Sequence, residues 1–289
     1  MTQPPQGAAA NAAAFARDIK LSHSIFALPF ALAAAWIISR GQTVPAADWA
    51  AIVVAMVGAR SSAMGINRIA DRHIDKANPR TVGRELAAGR LSLAWAWALT
   101  LGSGALFCAA AGALSPLALG LSPLVLLFLW GYSFTKRFTA LCHLYLGLAL
   151  GLSPICVWIA LTGGVAAPAL LLSGVIASWV AGFDMLYALQ DRDYDRGVGL
   201  HSVPAAIGEK ATLVVSGLLH LLTVGLLAAL PAVVPLGGAY WLGVVAIGGL
   251  LGWEHAIVRP GDLSRMNAAF FTANSWVSVI FLGAVLLAA

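Results

Sequence analysis

Two segments of the chain nearly repeat each other, NRIADRHID at 67–75 and YALQDRDYD at 187–195. Both contain the pattern Asp-Arg-x-x-Asp, both follow directly on a long apolar run, and they are offset by 120 residues. Acidic side chains are costly next to lipid, so two copies in equivalent places need an explanation beyond chance.

The composition identifies the class of protein. Of the 289 residues, 60% are hydrophobic and only 10% are charged, whereas a soluble domain carries about 25% charged residues. The chain is therefore expected to be an all-α, polytopic membrane helical bundle whose main surroundings are the lipid bilayer. Its net charge of +5 is explained by cytoplasmic loops, and no nucleic-acid partner is predicted.

Hydropathy predicts nine transmembrane helices, because a helix needs about 20 apolar residues to cross the hydrocarbon core. Segments rich in Gly and Pro separate them. Residues 1–17 are interpreted as a disordered tail and residues 18–289 as a single transmembrane domain. The nine predicted spans are 21–39, 47–67, 91–113, 116–134, 139–161, 167–189, 211–231, 236–256 and 267–288.

Basic residues predict the orientation. With a cytoplasmic N-terminus, 15 of the 17 Lys and Arg residues fall on the cytoplasmic side, which favours an N-in, C-out chain in the cell membrane. The 120 residues between equivalent positions of the two copies contain four predicted spans. Because this number is even, both copies have the same orientation in the membrane. A parallel repeat of this kind predicts a central cavity between the copies, open towards the cytoplasmic side.

The spacing of the acids predicts their chemistry. Residues four apart share a helix face, which predicts one stripe through Asn67, Asp71 and Asp75 and another through Asp184, Tyr187, Asp191 and Asp195. Carboxylates at this spacing repel one another unless a cation lies between them. Their hard oxygen atoms suit Mg²⁺, which proteins commonly hold with one or two carboxylates plus substrate phosphates.

Basic neighbours extend this prediction to a phosphate-bearing substrate. Arg and Lys side chains bind phosphate directly, and the chain offers them beside both acid segments at Arg72, Arg80, Arg84, Lys136 and Arg192. Acids for a metal, bases for phosphate and a cavity at the depth of lipid together indicate a lipid diphosphate.

Structural explanations compete with some of these assignments. Arg60, inside the second span, is expected either to pair with Asp184 or to contact substrate. His23, His143 and His220 are interpreted as isolated core or interface histidines. Asp193 lies off the second stripe and ranks below its acidic neighbours.

At these residues the sequence resembles the UbiA superfamily of intramembrane prenyltransferases. The family pattern Asn-x-x-x-Asp-x-x-x-Asp is matched at 67–75, and Asp-x-x-Tyr-x-x-x-Asp-x-x-x-Asp is matched at 184–195. The segment YSFTKRFTALCHLYLGLALG at 132–151 is also similar to the family. The resemblance covers the chain from about residue 18 to its end.

The resemblance implies a mechanism and roles. Two Mg²⁺ ions would bind a polyprenyl diphosphate, whose ionisation yields an allylic cation that alkylates an electron-rich aromatic ring. The implied metal ligands are Asn67, Asp71, Asp75, Asp191 and Asp195. Asp184 and Tyr187 are implied to position the reacting end of the substrate, and the implied substrate-binding residues are Arg60, Asn67, Arg72, Lys136 and Arg192.

Within the family, the motif surroundings look closest to the 4-hydroxybenzoate polyprenyltransferase branch. This resemblance implies that the acceptor is a small aromatic acid, 4-hydroxybenzoate in the first place and 1,4-dihydroxy-6-naphthoate as the alternative, in ubiquinone or menaquinone biosynthesis. Two alternatives belong to other classes. A CDP-alcohol phosphotransferase should carry Asp-Gly-x-x-Ala-Arg between its acids, whereas Asp71 is followed by Arg-His-Ile. A transporter built on the parallel repeat should place fewer acids, closer to the middle of the membrane.

Overall fold

The computed structural model describes residues 7–21, 26–266 and 272–288. Within these ranges the secondary structure is helical, with one isolated bridge between Arg259 and Asp262. The α-helices in chain order are α1 (Ala8–Asp18), α2 (Leu28–Ser39), α3 (Ala46–Ala77), α4 (Leu93–Leu114), α5 (Pro116–Thr135), α6 (Cys142–Thr162), α7 (Ala167–Ala188), α8 (Arg192–Val198), α9 (Val203–Ile207), α10 (Glu209–Ala229), α11 (Ala239–Ile257) and α12 (Asn274–Ala288).

Six helical segments in the described ranges are long and apolar enough to cross a membrane. An apolar helix suits lipid because it satisfies its own backbone hydrogen bonds. The six segments are Ala46–Ala77, Leu93–Leu114, Pro116–Thr135, Cys142–Thr162, Ala167–Val198 and Glu209–Ala232. An all-α, multi-pass membrane protein is therefore confirmed, while the count of nine spans stays a prediction.

The other three predicted spans coincide with α2, α11 and α12. Helices α2 and α12 are apolar but have only 12 and 15 residues, shorter than the ~20 residues that cross a bilayer. Residues 22–25 of the first predicted span and 267–271 of the last lie outside the described ranges.

The chain divides into two compact units. Unit 1 comprises Met1–Ser24 and Ala50–Phe134, and unit 2 comprises Ile25–Trp49 and Thr135–Ala289. The single domain expected over 18–289, and the parallel repeat within it, remain predictions. The two 32-residue segments at 46–77 and 167–198 have the equal lengths that such a repeat would produce.

The N-terminal region of unit 1 differs from the expected disordered tail, because residues 8–18 form α1. Its buried residues Asn11, Ala14, Phe15 and Asp18 recur at helical spacing and so form one face. Ala14 and Phe15 pack in one apolar cluster with residues of α3 and α4. Tertiary packing thus orders a stretch whose polar, alanine-rich composition suggested a tail.

Unit 2 is organised around α7, which packs against α6 and α10. Glycines allow α6 and α7 to approach closely, as small residues do between membrane helices. A Cβ added at Gly151 would lie 2.8 Å from the carbonyl oxygen of Ser173, and one at Gly147 would collide with the carbonyl oxygen of Ala177. The backbones of α6 and α7 are therefore in contact at these two glycines, where no larger side chain fits.

A buried polar network joins α7, α11 and α12 in unit 2. The Trp179 indole donates to Asn274 Oδ1 at 2.7 Å, and Asn274 Nδ2 donates to Glu254 Oε1 at 2.9 Å. Nδ1 of His220 on α10 lies 3.0 Å from Nε2 of His255 on α11. His220 is therefore paired, in contrast to the isolated histidine expected from sequence, while His23 lies outside the described residues.

We predict that Gly147→Ala destabilises the protein by about 1–3 kcal/mol, because the added methyl group overpacks the contact between α6 and α7. Gly225→Ala is the matched control in α10, where an added Cβ meets nothing within 4 Å. Alanine there should be neutral or stabilise by up to about 1 kcal/mol through helix propensity. Unfolding in detergent measures both variants, and equal stabilities would contradict the close approach.

Candidate functional site

The first acid cluster consists of Asn67, Asp71 and Asp75, and it lies on one uninterrupted helix. The predicted span ended at 67, but α3 continues to Ala77, so the spacing of four residues places the three side chains along one face. Asp71 and Asp75 are 1% and 4% exposed. These buried carboxylates need partners, because an isolated buried charge is strongly unfavourable.

Asp75 is paired with Arg84, in the segment that follows α3. Nη1 of Arg84 lies 2.7 Å from both carboxylate oxygens, and the Thr81 hydroxyl donates to the backbone carbonyl of Asp75 at 3.1 Å. The segment after α3 is thus folded back onto the acid cluster. Arg84 was only one of several basic candidates in the sequence, and the structure singles it out.

Arg68 is the buried base of unit 1. It is 6% exposed, its Nε donates to the carbonyl of Asp18 at 2.9 Å, and its Nη1 donates to Asn67 Oδ1 at 2.8 Å. The Asn67 amide nitrogen in turn donates to Asp71 at 3.3 Å. Sequence patterns alone gave Arg68 no role, although its position between two motif residues inside an apolar run distinguishes it from the other bases.

A cavity of about 250 Å³ lies beside this cluster in unit 1. We call it the basic pocket, because four cations contribute to its lining together with two acids. Its lining residues are Arg17, Asp18, Lys20, Arg80, Thr81, Gly83, Arg84 and Glu85. Its size and charge suit a phosphate-bearing group.

The pKa values of three residues that line the basic pocket reflect its charge. Burial, followed by the nearby charges of Arg68, Arg84 and Arg80, lowers the pKa of Lys20. Burial raises the pKa of Asp18 despite the opposing charge of Arg68. Burial also acts to raise the pKa of Glu85, but hydrogen bonds from Arg90 and Arg17 outweigh it and hold that pKa below its usual value. A bound anion would relieve the repulsion that Lys20 experiences.

The second acid cluster consists of Asp184, Tyr187, Asp191 and Asp195, and it does not lie on one regular helix. Helix α7 ends at Ala188, a 3₁₀ turn covers Leu189–Asp191, and α8 begins at Arg192. A 3₁₀ turn rotates about 120° per residue instead of about 100°. The structure therefore corrects the single continuous stripe predicted from the sequence, because the last two acids are rotated relative to the first two residues.

Asp184 is paired with His143, a histidine expected from the sequence to be isolated. Nδ1 of His143 in α6 lies 2.7 Å from Asp184 Oδ2. Arg60, the other partner considered for Asp184, donates to the carbonyl of Ile19 at 3.3 Å within unit 1. No spacing rule relates residues 41 positions apart, so only the packing of α6 against α7 could reveal the pair.

Asp191 and Asp195 are half-buried and lie close to other charged groups of unit 2. Asp195 interacts with Ser202, Asp191, Lys136 and His143. The Lys136 carbonyl accepts from the His201 amide at 2.7 Å, so the segments before α6 and after α8 are joined. This contact brings the predicted substrate-binding base Lys136 to the second acid cluster.

The remaining predicted residues have mainly local contacts. Arg72 donates to the carbonyl of Ile69 at 3.0 Å. Arg192 pairs with Asp193 at 2.9 Å and with Glu209 at 3.4 Å, and Asp193 is exposed. Tyr187 packs beside a small apolar cluster that includes Leu186. The meeting of the two acid clusters across the two units stays a prediction.

The chemistry of these side chains fits Mg²⁺ as a cofactor shared with substrate. Among the described residues, no group of three or more His, Cys, Asp or Glu side chains is arranged to hold a metal ion by itself. Each cluster instead offers two carboxylates separated by one helical turn. Mg²⁺ is commonly bound in this way, by one or two carboxylates with the other ligands supplied by water and phosphate oxygens.

Comparison with known proteins places these features in a family context. A sequence profile described as the UbiA prenyltransferase family matches residues 27–276. The chain is 33% identical over 259 residues to a 4-hydroxybenzoate octaprenyltransferase of Ralstonia nicotianae, covering 88% of this chain and 86% of the relative. A relative of the same name from Thiobacillus denitrificans is 31% identical, with coverage of 88% and 86%.

Solved structures agree with this similarity. The apo structure of a UbiA homolog from Aeropyrum pernix K1 matches with a TM-score of 0.83 and 35% identity, covering 92% of this chain and 98% of that one. A UbiA homolog from Archaeoglobus fulgidus bound to DMAPP and Mg²⁺ matches with a TM-score of 0.72, covering 94% and 98%. At 17% identity, the second match supports the fold alone.

We predict that Arg84→Met destabilises the protein by about 2–3 kcal/mol, because it leaves the Asp75 carboxylate buried without its partner. The exposed Arg80→Met is the control and should change stability by less than about 0.5 kcal/mol. Adding Asp75→Asn to Arg84→Met should recover part of the loss, because a neutral amide tolerates burial better than a carboxylate. A double-mutant cycle of unfolding free energies measures the coupling, and strictly additive effects would contradict it.

Proposed function

This chain belongs to the UbiA prenyltransferase family, and from that premise we propose that it transfers a polyprenyl group from a polyprenyl diphosphate to 4-hydroxybenzoate. The observation that carries the proposal is the presence of both family acid patterns, at 67–75 and 184–195, on a matching fold. The names of the relatives with 31–33% identity support the acceptor. The product would serve respiratory quinone biosynthesis.

The metal in this proposal is Mg²⁺, and the residues that would hold it are Asn67, Asp71, Asp75, Asp191 and Asp195. When bound, it supplies positive charge that stabilises the departing diphosphate. In the structure Asn67 and Asp75 are engaged by Arg68 and Arg84. To bind the metal, Asn67 would therefore have to release Arg68, and Asp75 would have to release Arg84.

The basic residues are proposed to bind the diphosphate. Arg84 lines the basic pocket and is already hydrogen-bonded to the acid cluster, so it can turn from Asp75 to a phosphate oxygen. Arg72, Lys136 and Arg192 are the further diphosphate contacts that we propose. Their charges would favour the ionised diphosphate over the intact ester, which is electrostatic catalysis at a leaving group.

The apolar helices are proposed to hold the isoprenoid tail and to exclude water. An allylic cation reacts with water, so productive transfer needs a dry surrounding for the reacting carbon. Arg60 is partly buried within α3, and we propose that it binds the carboxylate of the aromatic acid. Asp184 and Tyr187 would position the reacting groups.

The proposed arrangement in the membrane has nine spans, an N-terminus inside and a C-terminus outside the cell membrane. Both acid clusters would then lie on the cytoplasmic side of the membrane. Support comes from the 15 of 17 basic residues on one side of this topology, namely Arg17, Lys20, Arg68, Arg72, Lys76, Arg80, Arg84, Arg90, Lys136, Arg137, Arg192, Arg196, Lys210, Arg259 and Arg265.

We predict that Asp71→Ala and Asp191→Ala each lower prenyl transfer by about 100-fold or more, equal to about 2.7 kcal/mol of barrier. Asp193→Ala is the matched control within the same motif, because Asp193 is exposed and is not among the proposed metal ligands. It should retain activity within about threefold. Purified protein assayed with and without Mg²⁺ gives the comparison. A transporter would instead lose substrate flux in these variants without ever forming a prenylated product.

The choice of acceptor is tested by competition. Purified protein with Mg²⁺ and a polyprenyl diphosphate receives equal amounts of 4-hydroxybenzoate and 1,4-dihydroxy-6-naphthoate, and mass spectrometry identifies the products. We expect prenylated 4-hydroxybenzoate to predominate. If the naphthoate product predominates, the enzyme would instead be assigned to a menaquinone route. The absence of both products would contradict the assignment to quinone biosynthesis.

A further inference from the structure

Arg84 contacts the first acid cluster and also lines the basic pocket. Its Nη1 lies 2.7 Å from both carboxylate oxygens of Asp75. The nitrogen thus lies where a cation bound to these oxygens would also lie. Mg²⁺ approaches carboxylate oxygens to about 2.0–2.1 Å, and at that distance its charge and the charge of Arg84 repel each other. Arg84 and the metal therefore compete for Asp75.

The backbone around Arg84 is held in place, so a change of partner requires only its side chain to move. The Arg84 amide donates to the carbonyl of Thr81 at 3.0 Å. The Thr81 hydroxyl donates to the carbonyl of Asp75 at 3.1 Å, which fixes this segment at the end of α3. The Arg84 side chain is 25% exposed, compared with 6% for that of Asp75. Arg84 is thus the more accessible member of the pair.

The basic pocket attracts anions because other groups engage its two acids. Asp18 Oδ1 accepts a hydrogen bond from the backbone amide of Glu85 at 2.8 Å. Glu85 in turn pairs with Arg17 at 3.0 Å and with Arg90 at 2.6 Å. These acids therefore compensate only part of the positive charge next to Arg84. A phosphate group that enters the pocket would complete the compensation, and guanidinium groups bind phosphate well.

Lys20 gives a second indication that the basic pocket receives an anion. Burial, followed by the charges of three neighbouring arginines, lowers the pKa of Lys20, so positive charges are crowded around it. Its φ is 49°, and within the described part of the chain it is the one residue other than glycine with a positive φ. Such strain persists only where the surrounding structure holds it, and it is common at ligand-binding positions.

We propose that a diphosphate binds in the basic pocket without a metal and withdraws Arg84 from Asp75, which opens the first acid cluster to Mg²⁺. This inference rests on the proposed function and deepens it, because it makes the diphosphate a requirement for tight metal binding at Asp75. Each ligand binds best when Arg84 is turned towards the pocket, so anion and metal increase each other's affinity by the same factor.

The first measurement needs no catalysis and uses the full-length protein in nanodiscs without any anionic ligand. Mn²⁺ takes the same oxygen ligands as Mg²⁺, and electron paramagnetic resonance follows its binding. We expect Arg84→Met to bind Mn²⁺ about fivefold or more tightly than the wild type, because the competitor for Asp75 is gone. Arg84→Gln keeps a neutral donor for Asp75 and should also bind Mn²⁺ more tightly, which serves if Arg84→Met does not fold.

Two controls assign the effect to the contact between Arg84 and Asp75. Arg17→Met removes the same charge from the same pocket, but Arg17 is 62% exposed and pairs with Glu85. Its Mn²⁺ affinity should stay within about twofold of the wild type, because an exposed charge is screened by salt. In an Asp75→Ala background, adding Arg84→Met should leave Mn²⁺ affinity unchanged, because the oxygens for which Arg84 competes are absent.

The anion is tested next, first by itself and then together with the metal. Calorimetry in EDTA should detect inorganic pyrophosphate binding to the metal-free wild type, weakened about tenfold in Arg84→Met. Sulfate serves as the anion beside Mn²⁺ because it chelates that ion only weakly, and chloride at equal ionic strength is the control. Saturating sulfate should raise the Mn²⁺ affinity of the wild type about fivefold or more, and that of Arg84→Met less than about twofold.

The contradicting results are distinct. Equal Mn²⁺ affinities in the wild type and Arg84→Met overturn the proposal, and an equal gain in Arg17→Met overturns it by showing only a general electrostatic effect. Failure of pyrophosphate to bind in EDTA also overturns it. The sulfate titration of the wild type decides the proposal even if no Arg84 variant folds. Intact coupling without prenyl transfer would contradict the proposed function and leave this inference standing.

Discussion

The need to pair charged groups on apolar helices is the constraint on which the described sites depend. An unpaired carboxylate in an apolar region is strongly unfavourable, so each acid must find a base, a donor or a cation. Asp75 is paired with Arg84 in unit 1, and Asp184 is paired with His143 in unit 2. Arg84 lies nine residues after Asp75, beyond the end of α3, and His143 lies on α6, so neither partner belongs to the helix that carries its acid. Function and folding therefore involve the same side chains.

This pairing has consequences for catalysis. A carboxylate already bound to an arginine is held in place, and its partner carries the kind of charge that also binds phosphate. Arg84 contacts Asp75 and lines the basic pocket. In the proposed function, the same residue would stabilise the unloaded protein and bind the leaving group of the substrate. Such a dual role would explain how a site rich in charges remains folded before substrate enters.

Close packing supplies the other requirement. His143 and Asp184 have short side chains, so they meet only if their helices approach closely. Gly147 and Gly151 permit that approach, because a Cβ at either position would meet the backbone of α7. Apolar helices gain little by associating in lipid, and small residues allow the close van der Waals contact that replaces the hydrophobic effect. The residues that shape the site therefore include glycines with no chemistry of their own.

Several features followed from the sequence by itself. Long apolar runs determine membrane helices because lipid offers the backbone no other hydrogen-bond partners, and the spacing of Asn67, Asp71 and Asp75 placed them on one helix face. Tertiary structure decided the rest. It ordered residues 8–18 through the burial of one helix face, it inserted a 3₁₀ turn before α8, and it paired His143 with Asp184. These features depend on contacts between residues far apart in the chain, which local periodicity does not encode.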